Sequence, residues 1–337
     1  MKILLSSHFF HPSVGGIEEV SRILAREFSR EGHQVRIVTQ TREDDGTAFP
    51  FPIYRRPGPA ELMRLVEWCD VYFHNNISLR TAWPLLFVRR PWVVAHHTWI
   101  TRVDGTIGWR DRLKILVVRW AHNIAVSDAM REQIAAPVVV IGNPYRDDLF
   151  RCDPTAVRDR ELVFLGRLVR DKGVDLLFRA LARLRDFGFT PRLTVIGRGP
   201  EEPALRQLCK QLGLEAQIEF AGLKTGPDVV ALLNRHLIIV VPSRWQEPFG
   251  LVALEGIACG CVALGADCGG LPSAIGAAGA TFLHEDVDDA ACWIERLLAS
   301  EWGLEHYRKS AAAHLANHTA SAVAAHYLRV LEEAAHR

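Results

Sequence analysis

QEPFGLVALEGIACG, residues 246–260, decides how the chain is read. It follows the apolar, β-branched run LIIVVPS (237–243), so it opens as a loop at the carboxyl end of a strand and continues as a helix. Glu247 and Glu255 are its two charged residues; the rest is apolar and punctuated by glycine. Pro248 suits the first turn of the helix, and Phe249, Gly250 and Leu251 offer backbone amides where it starts. An ionised Glu255 in a helix that is apolar nearly all round would cost on the order of several kcal/mol without partners. The hydroxyls of a ligand would supply them, and a salt bridge to an arginine would serve as well.

Outward from this stretch, short β-branched runs alternate with amphipathic segments. Residues 3–6, 34–39, 71–74, 92–96, 123–126 and 138–141 read as strands, followed by a second series at 161–165, 192–196, 217–220, 237–241, 262–264 and 280–283. Strands apolar on both faces need helices on both sides, so the expected class is α/β, with two doubly wound parallel sheets. The polar segment 142–159, with Pro144 and Pro154 and neither period, reads as the linker. We therefore expect domains at 1–152 and 153–316, with 317–337 a C-terminal helix packing back on the first. No internal repeat accompanies this doubling.

A chain of 337 residues has ample material for two cores, and 49% hydrophobic with 23% charged residues argues against disorder. A net charge of +1 argues against a whole-protein nucleic-acid binder. No apolar run approaches the roughly 20 residues of a spanning helix, and the MKILLSS start is too short for a signal peptide, so a cytoplasmic location is expected. The seven cysteines are scattered without a C-x-x-C pair, which fits free thiols; Cys259, Cys261 and Cys268 match no zinc spacing.

Ligands of open α/β sheets gather at strand carboxyl ends. After the first strand, Gly15 and Gly16 precede a helical pattern (Ile17, Val20, Leu24, Phe28), where a phosphate could approach the backbone; a plain tight turn is the simpler reading. GRLVRDKGVD (166–175) places Arg167 and Lys172 between strand and helix, within reach of an anion, although both could be surface cations. His96 and His97 end the strand WVVAHH, one free to face a ligand and the other to serve the backbone.

Taken in order, GGIEEV, GRLVRDKGVD, IGRGPE (196–201), PSRWQEPFGLVALEGIACG and GGLP (269–272) resemble the retaining glycosyltransferases of the GT-B fold, family 4. The resemblance covers residues 1 to about 330 and implies two Rossmann-like domains facing a central cleft. It implies that Glu247 contacts the donor sugar, that Glu255 binds the nucleotide ribose, and that Arg167 and Lys172 hold the diphosphate. Phe249, Gly250 and Leu251 would supply amides, and Gly16 and Gly197 would belong to the donor loops. His97 is the closer match to the family's active-site histidine, with His96 the alternative.

Arg198, Gly256 and Ser273 depart from the family pattern, which leaves base and sugar preference unread. The resemblance implies a nucleotide-diphosphate sugar donor and a glycan or lipid-linked acceptor. No metal or other cofactor is expected, because two cations and a helix N-terminus can neutralise a leaving diphosphate. The one D-x-D, Asp286 to Asp288, opens a helical pattern, where carboxylates have a structural reason to be. A sugar-nucleotide epimerase, a hydrolase or a non-catalytic sugar-nucleotide binder are the competing readings. Residues 80–119 carry eight basic residues against Asp104 and Asp111, interleaved with Trp83, Trp92, Trp99 and Trp109. Trp109, Leu113, Leu116, Val117 and Trp120 would share one helical face, giving either a core helix or attachment to an anionic membrane surface.

Overall fold

The computed structural model describes residues 1–13, 15–100, 107–299 and 301–336. The chain divides into two compact units, Met1–Pro144 with His318–Arg337, and Tyr145–Asn317. The first break falls inside the 142–159 segment and ahead of the 152/153 boundary read from the sequence.

Among the described residues, the first unit is built on seven parallel strands: β1 (Lys2–Ser7), β2 (Gln34–Thr39), β3 (Ile53–Arg55), β4 (Val71–Asn75), β5 (Trp92–His96), β6 (His122–Ala125) and β7 (Val138–Val140). Their order is β3-β2-β1-β4-β5-β6-β7. Its helices are α1 (Gly16–Arg30), α2 (Pro59–Trp68), α3 (Leu79–Ala82), α4 (Trp109–Val117) and α5 (Asp128–Glu132). The edge strand β3 is absent from the sequence reading: three half-buried residues between Pro52 and Pro57 carry too little pattern.

The second unit has six parallel strands among the described residues: β8 (Arg160–Leu165), β9 (Leu193–Ile196), β10 (Ile218–Gly222), β11 (His236–Val241), β12 (Val262–Ala266) and β13 (Gly279–Phe282), ordered β10-β9-β8-β11-β12-β13. Around them lie α6 (Val174–Asp186), α7 (Glu202–Gln211), α8 (Pro227–Asn234), α9 (Leu251–Ala258), α10 (Leu271–Ile275), α11 (Val287–Leu298) and α12 (Glu301–Ala316). The last helix, α13 (Ala320–Ala335), belongs to the first unit and packs on α1, β4 and β5, with Tyr327 edge-on to Phe73 at 5.7 Å.

Burial explains the strand composition. β4, β5 and β12 are buried at every position, as strands covered on both faces must be. In each sheet the strand order reverses direction once, between β1 and β4 and between β8 and β11. Loops leaving adjacent strands at such a point diverge to opposite faces and open a crevice, so these two places are where ligands are expected.

Three histidines lie in the first sheet's interior. His74 on β4 is fully buried, and among the described residues neither of its ring nitrogens has a partner; burial pushes it down to about 3. Burial, with a smaller contribution from His96, likewise pushes His97 down to about 3, and burial lowers His96 despite its bond to Asn123. All three are therefore neutral in the fold, whereas the unfolded chain protonates them below about 6.5. His74 and His97 make stability fall as pH drops from about 6.5 towards 3, each by up to about 1.4 kcal/mol per pH unit, and His96 acts in the same direction. Denaturant titrations at pH 7, 6 and 5 should show this loss, and His74→Met should make its slope shallower. An unchanged slope in His74→Met would contradict the assignment.

Candidate functional site

In the second unit, the reversal point brings Lys172, from the loop after β8, onto Glu247, from the loop after β11. The Lys172 ammonium donates to Glu247 Oε1, and Ser243 Oγ donates to the same oxygen at 2.9 Å. The pair is largely shielded, with side chains 24% and 13% exposed, so its attraction is screened less than that of a surface pair. No protein hydrogen bond reaches Glu247 Oε2 among the described residues.

Backbone contacts fix the two loops together. Gly173 has φ +65, and a Cβ there would lie 1.9 Å from the Pro242 carbonyl oxygen, so the loop carrying Lys172 can press on the end of β11 only with glycine at this position. The Asp171 carbonyl accepts from the Arg244 and Trp245 amides at 2.8 and 3.1 Å. Arg244 in turn grips Asp175 at the start of α6, its Nη2 donating at 2.8 Å, and its Nε donates to Glu285 at 2.9 Å. GGLP completes the clamp: the Gly270 amide donates to the Glu247 carbonyl at 2.6 Å, and a Cβ on Gly270 would lie 2.2 Å from the Pro248 carbonyl oxygen.

The helix after this loop starts later than the sequence suggests. α9 begins at Leu251 with Gly250 as its N-cap, at φ 108, so Pro248 lies ahead of the helix rather than in its first turn. Phe249 is buried, and the Leu251 and Val252 amides head the helix. The helix is also not buried all round. Leu251, Val252 and Glu255 are half-buried along one side, so Glu255 stands on the partly open face of an otherwise enclosed helix. Gly256, a departure from the family pattern, gives room to β11: a Cβ there would lie 2.5 Å from Ile239 Cγ2.

The other residues singled out in this unit are not gathered into that cluster. Arg167 is exposed and makes no ion pair among the described residues. Gly197 packs its backbone on the loop that holds Arg167, donating to the Gly222 carbonyl at 2.9 Å beneath the Gly166 carbonyl. Asp286 caps α11 by accepting from the Asp289 amide at 2.9 Å, and Asp288 accepts from Arg183 at 2.9 Å, so both D-x-D carboxylates have structural partners. Burial raises the Cys259 and Cys261 thiols to about 12.

In the first unit, the reversal point between β1 and β4 carries a polar network. His97 Nε2 lies 2.6 Å from Asn75 Oδ1. Asn75 Nδ2 donates to Ser21 Oγ at 2.6 Å and towards the Ile17 carbonyl at 3.4 Å, which fixes the amide's orientation and assigns the His97 proton to Nε2. Ser21 meets Ser7 at 2.8 Å, tying α1 to β1. Among the described residues, no partner reaches His97 Nδ1, a buried acceptor. His96 bonds Asn123 on β6 at 2.9 Å, so the two histidines serve different strands. Asn75 is the residue that sequence reasoning missed. Its signal, one asparagine at the end of β4, acquires meaning only through the register Ser7↔Asn75.

Gly16 begins α1, exposed beside Gly15; the Glu18 carboxylate leans over this end, 2.3 Å from where a Gly15 Cβ would sit. A cavity of about 870 Å³ opens at these strand ends, lined by His8, Glu18, Asn75, Asn76, Arg80 and Lys114 among others. Among the described residues, no helix is long and apolar enough to cross a membrane.

Comparisons with known proteins identify the family and the fold. Residues 146–314 match the family model of glycosyl transferases group 1, and residues 14–149 match that of glycosyltransferase family 4. The D-inositol 3-phosphate glycosyltransferase of Mycolicibacterium paratuberculosis is 34% identical, over 95% of this chain and 86% of its own. The gpi3 subunit of phosphatidylinositol N-acetylglucosaminyltransferase from Schizosaccharomyces pombe is 26% identical, over 91% of this chain and 75% of its own. The crystal structure of Anabaena HepE in complex with UDP superposes with a TM-score of 0.84 at 19% identity, covering 99% of this chain and 100% of that one, a likeness of fold. The chain belongs to the group 1 glycosyl transferases, family 4, and has their GT-B fold.

Proposed function

We propose that the protein transfers a sugar from a nucleotide-diphosphate sugar to a hydroxyl of a glycan or lipid-linked acceptor, with retention of configuration and without a metal, in cell-surface polysaccharide or glycolipid synthesis. The observation that carries this reading is the Lys172–Glu247–Ser243 cluster at the β8/β11 reversal point.

In the proposed chemistry, Lys172 and Arg167 hold the diphosphate, with the amides that head α9 adding positive potential. As the bond from the anomeric carbon to the phosphate oxygen breaks, negative charge grows on the diphosphate, and these fixed groups stabilise it. The acceptor hydroxyl attacks from the same face and passes its proton to the departing phosphate oxygen. Glu247 uses Oε2 to orient a donor-sugar hydroxyl, while Oε1 stays with Ser243. Glu255, on the open side of α9, takes the ribose hydroxyls. His97, in the first unit's network, offers a hydroxyl a neutral acceptor at Nδ1.

We also assign the first unit to peripheral attachment on an anionic membrane surface, at the inner face of the membrane. Trp109, Leu116 and Trp120 are 71%, 49% and 71% exposed, which favours this reading over a core helix. The helix itself ends at Val117, and Trp120 closes the short 3-10 turn after it. Arg110, Arg112 and Arg119 stand exposed among them; Arg102 and Asp104 lie outside the described residues.

A screen of nucleotide sugars by thermal protection identifies the donor, since a ligand that binds only the folded state raises its stability. With that donor, turnover should persist in EDTA, and an absolute requirement for added magnesium or manganese would refute metal independence. Glu247→Gln should lower kcat by roughly 10²-fold or more, whereas Glu255→Gln should mainly raise the donor KM. The reverse pattern would exchange the two roles. Co-sedimentation with anionic vesicles should be strong at low salt and weak at high salt; its absence at low salt would rule out the membrane assignment.

A further inference from the structure

A second cavity of the first unit has a different character from the one at the strand ends. It measures about 880 Å³ and is lined mainly by apolar side chains, among them Trp83, Leu85, Leu86, Val117 and Trp120. Leu79 and Leu113 line both this cavity and the polar one, so the two adjoin across these side chains. Among the described residues neither is closed: Leu86 is 77% exposed and Leu113 39%. Apolar surface of this kind left open in a soluble unit marks a binding site more often than an accident of folding.

The polar cavity carries Arg80, Arg110 and Lys114 against Glu18 and Asp111, a lining with one net positive charge. Arg80 and Arg110 line the polar cavity without an ion pair among the described residues, Arg110 lying against the Trp109 ring at 5.2 Å. Arg89 and Arg90 line the apolar cavity; Arg90 donates to the neutral carbonyls of Val66 and Glu67, which leaves its charge uncompensated. Lys114 is the exception, held 3.3 Å from Asp111.

We propose that these adjoining cavities form one site for an amphiphilic acceptor, a lipid whose hydrocarbon chain lies along Leu85, Leu86, Val117 and Trp120 and whose phosphate-bearing head occupies the polar cavity. This rests on the glycosyltransferase reading above and narrows its acceptor from a glycan or lipid to a lipid phosphate. It also differs from adsorption to a membrane plane, because a single lipid molecule is taken up. Asn76, whose Nδ2 donates to Thr98 Oγ1 at 2.8 Å in the polar cavity, is then placed to orient the head.

The test uses the full chain and decyl phosphate below its micellar concentration, with inorganic phosphate and decanol as controls, titrated calorimetrically. Decyl phosphate should bind roughly tenfold or more tightly than inorganic phosphate, because the chain is removed from water. 10-Bromodecyl phosphate should quench tryptophan emission, since Trp83, Trp92 and Trp120 line the chain cavity. Leu86→Asp, at an exposed position that leaves the fold intact, should abolish the advantage of the chain, and Leu113→Asn should weaken it. Equal binding of decyl phosphate and inorganic phosphate would overturn the proposal, as would an undiminished chain advantage in Leu86→Asp. Vesicle binding lost in Leu86→Asp without any uptake of monomeric decyl phosphate would overturn it too, leaving only a membrane contact. A parallel titration with nucleoside diphosphates keeps the two readings apart. Nucleotide binding without lipid binding defeats this inference alone, whereas no nucleotide binding by wild type defeats the glycosyltransferase reading instead.

Discussion

The ion pair between Lys172 and Glu247 joins the two loops that diverge where the second sheet reverses direction. A carboxylate and an ammonium held largely away from water are costly unless matched, and here they match each other, with Ser243 as a third partner. The surrounding sequence serves that contact. Gly173 lets the lysine loop touch the end of β11, Asp171 accepts two amides from the glutamate loop, and Gly269 and Gly270 bring GGLP against the backbone of Glu247. Before any ligand arrives, the site is assembled by backbone contacts that larger side chains would break. Such preorganisation is what electrostatic stabilisation of a developing charge requires.

The first unit is organised around a neutral network rather than an ion pair. Ser7, Ser21, Asn75 and His97 satisfy one another in sequence, and the outcome is a histidine whose protonated nitrogen is assigned and whose other nitrogen is an acceptor. Burial keeps that histidine uncharged at any ordinary pH. With its proton on Nε2, a neutral imidazole can accept from a hydroxyl at Nδ1, which an imidazolium cannot.

Much of this was legible in the sequence because its signals are local. A strand buried on both faces is a continuous apolar run, so β5, with the same bounds in sequence and structure, stands out, and EPFG after such a run marks a carboxyl-end loop. What was illegible depends on neighbours distant in the chain. β3 is too short and too close to prolines to show a period. Pro248 invites placement in the first helical turn, but the positive φ of Gly250 delays the helix until Leu251. The apolar composition of α9 conceals that one of its sides is uncovered, since composition counts side chains and says nothing of what packs on them. Asn75 gains its role from the strand beside it, which no window along the chain contains.

The proposed function requires Lys172 to exchange Glu247 for the donor diphosphate. Calorimetric titration of the preferred nucleoside diphosphate into wild type, Lys172→Met, Glu247→Gln and the double variant tests it most directly. Losing the lysine should weaken binding by roughly tenfold or more, as expected for a charge-assisted contact. Removing the glutamate's charge frees the lysine and should leave affinity equal or higher, and the double variant should lose that benefit. Unchanged affinity in Lys172→Met, or a loss in Glu247→Gln as large as in Lys172→Met, would refute this exchange.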